Sequence, residues 1–104
     1  RGTTALIRQI QVAGDAYVLQ VIPVDMDANV WRFELRSQTP GALIPPGFVL
    51  RLLTEDLQPF ENNQATTSVP VEQLYLEAAL DLGEGIVWEV EPTPAEYERE
   101  ILRF

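Results

Sequence analysis

The chain has 104 residues, 46% of them apolar, with two Trp, three Tyr and four Phe. That is material for one core, at a length where folding removes roughly 60–70% of the unfolded surface from water. All seven basic residues are Arg and they face sixteen Asp and Glu, for a net charge of −9; such a field disfavours nucleic acid and anionic membrane surfaces and favours a partner with a basic surface. Cys and His are both absent, which excludes disulfides, thiolate nucleophiles, Cys- and His-ligated metals and the commonest general base.

The acidity is uneven. Residues 1–54 carry five Arg against four acids, and residues 55–104 carry two Arg against twelve. A domain without disulfides suits the cytoplasm, and no apolar run approaches the roughly 20 residues that span a bilayer. The chain opens on Arg1, so the expectation is a single domain over residues 1–104 that is a fragment or the C-terminal domain of a longer protein.

Segments of period two, punctuated by Pro, Gly, Asn and Asp, predict an all-β, antiparallel, two-sheet sandwich of about seven strands, Ig-like in arrangement. The first strand, Ala5 to Val12, places Leu6, Ile10 and Val12 on one face and Gln9 and Gln11 on the other; Ile7 breaks the pattern. A turn at Gly14-Asp15 leads into Ala16 to Val24, apolar on both faces and therefore central. Val30 to Ser37 alternates without exception, Trp31, Phe33 and Leu35 against Arg32, Glu34 and Arg36. The stretch Gln38 to Gly47, with three Pro and two Gly, predicts a crossing between sheets.

Phe48 to Thr54 resumes as a strand, and polar Gln58 to Thr67 is expected to be irregular, with Asn62-Asn63 at a loop tip. Over Leu74 to Leu82 five positions keep strict period two, which outranks the helix propensity of Glu-Ala-Ala-Leu and predicts a strand. Gly83-Glu84-Gly85 then predicts a short hairpin into Ile86 to Val90. Thr93-Pro94-Ala95-Glu96 is a capping box with Pro at the first helical position, followed by Tyr97, Ile101 and Phe104 at helical spacing. Locally it predicts a short helix after Thr93.

The run Leu43-Ile44-Pro45-Pro46-Gly47-Phe48-Val49-Leu50-Arg51-Leu52-Leu53-Thr54-Glu55, the alternating Leu74 to Leu82, and Gly83-Glu84-Gly85 leading into Ile86-Val87-Trp88-Glu89-Val90 resemble a cyanobacterial family called domain of unknown function 1822. The likeness covers about residues 43–104. It implies a C-terminal β domain whose final strand is Glu98 to Phe104, against the local capping signal, and it implies no activity. Asp56-Leu57 departs from the resemblance, which leads one to expect a Gly in that turn.

Few residues suggest chemistry. Asp25-x-Asp27-x-Asn29 has the opening spacing of a calcium loop, but Val30 and Arg36 stand where that loop needs Gly and a bidentate acid. Asp and Asn also favour plain turns, so Asp25, Asp27 and Asn29 are weak metal candidates only. Glu84, Glu89, Glu91, Glu96, Glu98 and Glu100 are carboxylates without a fixed pairing across a cleft, which a glycosidase needs. Ser37 and Ser68, the two serines, have no His base, which excludes a triad.

Trp31 and Trp88 share faces with core residues and are expected to be buried, whereas Tyr75 opposes the Leu74–Leu76 face and is the candidate exposed aromatic. Arg32, Arg36 and Arg51 are expected in surface ion pairs with acids of the second half. The expectation is a noncatalytic protein-interaction or structural module without a cofactor, with Tyr75, Glu89, Glu91, Arg32 and Arg36 as interaction candidates. The alternative is a carbohydrate-binding module that uses exposed aromatics.

Overall fold

The computed structural model describes residues 6–104, apart from the side chains of 60–63. Eight strands follow one another: β1 Leu6–Val12, β2 Asp15–Asp25, β3 Val30–Ser37, β4 Val49–Thr54, β5 Pro59–Thr66, β6 Gln73–Ala79, β7 Gly85–Glu91 and β8 Ile101–Arg103. They form two antiparallel sheets of four, ordered β1-β2-β3-β6 and β5-β4-β7-β8. The all-β sandwich read from the alternation is therefore present, with the Pro- and Gly-rich segment after β3 crossing between sheets as expected.

Between the sheets lie Tyr17, Leu19, Val21, Trp31, Phe33, Leu35, Leu74 and Leu76 from the first and Leu50, Leu52, Ile86, Trp88, Val90 and Leu102 from the second. Along β2, β3, β4, β6 and β7 these are alternate residues, as the pleat requires. Burying a large apolar side chain of this kind contributes about 1.5–3 kcal/mol. Local turn chemistry fits: Ala13 and Gly14, with φ of 51° and 87°, link the paired Val12 and Asp15 in the two-residue geometry that matches strand twist.

Four expectations need correction. The strand order is not that of an immunoglobulin constant domain, where the third strand lies in the sheet opposite the second; here β3 pairs with β2 in one sheet. Polar Gln58 to Thr67 is not irregular but contains β5, which pairs with β4 across a register shift between Arg51 and Leu53. Its backbone follows the hydrogen-bonding demand of the β4 edge rather than any apolar alternation of its own. Asn62 and Asn63, placed at a loop tip by the sequence, lie within β5; their side chains are outside the described residues.

Gly83-Glu84-Gly85 does not close a hairpin. β6 pairs with β3 and β7 pairs with β4, so this turn carries the chain from one sheet to the other, with Gly83 at φ 80°. No helix follows Thr93. Glu96, the would-be third helical residue, has φ of 58°, Ala95 N–H bonds the Gln11 carbonyl at 2.8 Å and the Tyr97 N–H bonds the Pro94 carbonyl at 3.3 Å. The segment runs in a turn against β1 and enters β8, the final strand implied by the family resemblance.

Candidate functional site

The outward face of the first sheet is built by the residues opposite the core positions. The register places Gln9, Val18, Arg36 and Gln73 in one row, Ile7, Gln20, Glu34 and Tyr75 in the next, then Ile22, Arg32 and Glu77. Ile7 is 55% exposed, Val24 51% and Tyr75 45%, while Val18 and Ile22 are half-buried. The departures from clean alternation in β1 and β2 thus mark an apolar strip on an open sheet face.

Beside that strip lies a polar cluster. The Arg32 guanidinium carbon stands 3.9 Å from the centre of the Tyr75 ring, and its Nε is 3.8 Å from Glu34 and 3.6 Å from Glu77. That Nε is buried and makes no hydrogen bond. Arg36 donates to Glu34 Oε1 from Nε and Nη2 at 3.0 and 2.6 Å, and Nη2 also donates to Gln73 at 2.6 Å. Glu34, with a side chain only 7% exposed, is thereby held between two cations on its own strand. Two Arg and two Glu leave this cluster neutral in a molecule of net charge −9.

The remaining interaction candidates lie elsewhere. Glu89 and Glu91 stand side by side on the outer face of the second sheet, both accepting from Arg51 Nη1 at 3.2 and 3.0 Å. Hydrogen bonding to Glu91 raises the Arg51 pKa further, burial opposing and Glu89 adding to it. Arg99 approaches Glu89 at 3.5 Å. A shallow cleft of ≈ 310 Å³ next to them is also lined by Tyr97 and Thr93. Two carboxylates on one strand that share a guanidinium do not oppose each other across a substrate gap.

Sequence reasoning missed a third constellation where the sheet edges β1 and β8 meet. Arg8 points inward with Leu6 and Ile10 and donates to Glu100 from Nε at 2.9 and 3.2 Å and from Nη2 at 3.0 Å. Trp88 Nε1 donates to the same carboxylate at 2.8 Å, and the Tyr97 hydroxyl donates to the Trp88 carbonyl at 2.6 Å. The hydrogen bonds from Arg8 outweigh burial and, with those from Trp88, hold the Glu100 pKa below its ordinary value. The one available signal was Arg8 on the apolar face of β1.

The weak metal candidates are occupied by the turn itself. Asp25 Oδ1 accepts from the N–H groups of Asp27 and Ala28. Asn29 donates to the Leu80 carbonyl at 3.0 Å and accepts from Trp31 Nε1 at 2.8 Å. Among the described residues no group of three or more Asp and Glu is gathered to hold a metal ion.

Fold and site define a β-sandwich of two four-stranded sheets with one mixed apolar and ionic face. The chain belongs to the family described as protein of unknown function (DUF1822), whose model matches residues 2–103. The match thus extends well before Leu43, where the resemblance in the sequence begins. No curated protein and no solved structure matches the chain.

Proposed function

We propose that the chain is a noncatalytic protein-interaction module that binds through the outer face of its first sheet. The observation that carries this reading is that Ile7, Val18 and Ile22 share one sheet face with the Arg32–Tyr75 stack, Ile22 directly opposite Arg32. Apolar side chains that reach the surface beside an aromatic and an Arg are the chemistry of binding hot spots. The neutrality of the ionic cluster lowers the cost of approach there, and the acidic surroundings favour a partner that is apolar at its centre and basic at its rim.

The carbohydrate alternative has less support: Trp31 and Trp88 are 6% and 3% exposed, and Arg32 covers one face of Tyr75. The test compares proteins captured from the source cells by the parent chain, by Ile22→Glu, and by Arg51→Gln on the opposite face. Specific capture should vanish with Ile22→Glu and persist with Arg51→Gln. A partner retained by a folded Ile22→Glu variant sinks the proposal, and a Tyr75-dependent response to oligosaccharides would replace it with the sugar reading.

A further inference from the structure

We infer that two copies of this chain pair through the edge of β6, which no strand covers among the described residues, antiparallel about a twofold axis at Leu76, into one continuous sheet with four strands from each copy. The inference concerns the edge rather than the face and stands whether or not that face binds another protein.

Unpaired strand edges invite pairing, and folds blunt them. Three of the four edges here are blunted. β1 carries Arg8 inward and gives the Gln11 carbonyl to Ala95, β8 is three residues long, and β5 is bent by a register shift. β6 is different. It pairs with β3 in unbroken register over seven residues, has no Pro and no charge on its inward side, where Leu74, Leu76 and Ala78 lie.

The direction of its backbone groups follows from the ladder. The Gln38 N–H bonds the Ala16 carbonyl, and the Leu80 N–H bonds the Asn29 carbonyl. In antiparallel sheets alternate residues bond to the same neighbour, so Leu74, Leu76 and Ala78 bond β3. Gln73, Tyr75, Glu77 and Ala79 therefore present their N–H and C=O groups to the open edge.

Self-pairing uses all four. With the axis at Leu76, Tyr75 faces Glu77 of the second copy and Gln73 faces Ala79, for about eight new hydrogen bonds. Leu76 meets its own counterpart on the core side. Each Glu77 arrives beside the Arg32–Tyr75 stack of the other copy, where charge and position match. An axis at Glu77 would set two carboxylates against each other, and an axis at Tyr75 would bring Val71, already bonded to Ile44, into the pairing.

Sedimentation at physiological ionic strength, where repulsion between two acidic chains is screened beyond roughly 8 Å, should show a reversible monomer–dimer equilibrium over a hundredfold range of concentration. Tyr75→Pro removes an outward N–H that β3 does not use, and Ala79→Pro removes a second one without touching the Arg32–Glu77 pair within each copy. Each should shift the population to monomer with an unchanged circular dichroism spectrum. The chain has no Cys, and facing residues in such a pair lie about 5.5 Å apart at Cα, within disulfide reach. Mild oxidation of Tyr75→Cys/Glu77→Cys should therefore give a covalent dimer, and Tyr75→Cys alone should not. A chain that stays monomeric throughout, a dimer untouched by both edge substitutions, or equal cross-linking of the single and double variants overturns the inference.

Discussion

Asn29 is a buried amide, 8% exposed, in left-handed backbone at φ 53°. Its side chain ties the β2–β3 turn to Leu80 and fixes the Trp31 indole. The sequence marks it as a turn residue, because Asn tolerates this conformation, but not as a bridge, since nothing local shows that Leu80 will lie opposite. Asn29→Ala leaves the Trp31 N–H and the Leu80 carbonyl short of partners and places a Cβ in strained backbone, for a loss of about 2–4 kcal/mol. Asn29→Gly keeps the conformation and loses only the hydrogen bonds. In urea unfolding, equal losses for the two variants would show that the backbone strain is negligible.

Elements were legible where each carried its own period. Val30–Ser37 was read to the residue because β3 sets apolar core residues on one face and charged ones, paired with each other, on the other. β5 was not, because its pairing comes from the β4 edge. The expected helix after Thr93 rested on a cap, an interaction of about 1 kcal/mol, in a segment too short to hold a helix alone. Tyr97 hydrogen-bonded to the Trp88 carbonyl, and Ala95 to Gln11, outweigh it.

That same segment delivers Glu100 to Arg8. A carboxyl whose folded pKa is depressed adds stability that is present above its unfolded value of about 4.3 and is lost as pH falls through the folded value. Glu100→Gln removes the charge and keeps an acceptor for Trp88. It should cost roughly 1 kcal/mol near pH 7, discounted for the partial exposure of the pair. Urea midpoints of the parent and the variant should converge as pH drops below about 4; a gap that persists at acid pH would show that the ion pair contributes nothing.

Over the whole molecule, two sheets, one core and the crossing after β3 were legible because alternation reports burial. Which sheet each later strand joins was not, since Gly83-Glu84-Gly85 permits a hairpin or a crossing equally. The pairing of β6 with β3 decided it. Of the candidate site, Tyr75, Arg32 and Arg36 were found by their place on the polar face, whereas their apolar neighbours on β1 and β2 read as noise in the alternation. The sheets are joined beyond β8 by Phe104, whose ring lies 4.9 Å from Trp31 and 5.7 Å from Phe33. Phe104→Ala should cost about 2 kcal/mol from lost apolar burial and ring contacts. Thermal unfolding of the variant is the check, and an unchanged midpoint would mean that the sheets are held together without it.

The two indoles also make the molecule its own probe. Trp31 belongs to the first sheet and Trp88 to the second, and their N–H groups are held by an amide and a carboxylate respectively. Replacing either with Phe leaves a single emitter that reports on one sheet alone. Loosening of the β1–β8 seam can thereby be observed by fluorescence separately from events at the β2–β3 turn, in the same chain and without an added label.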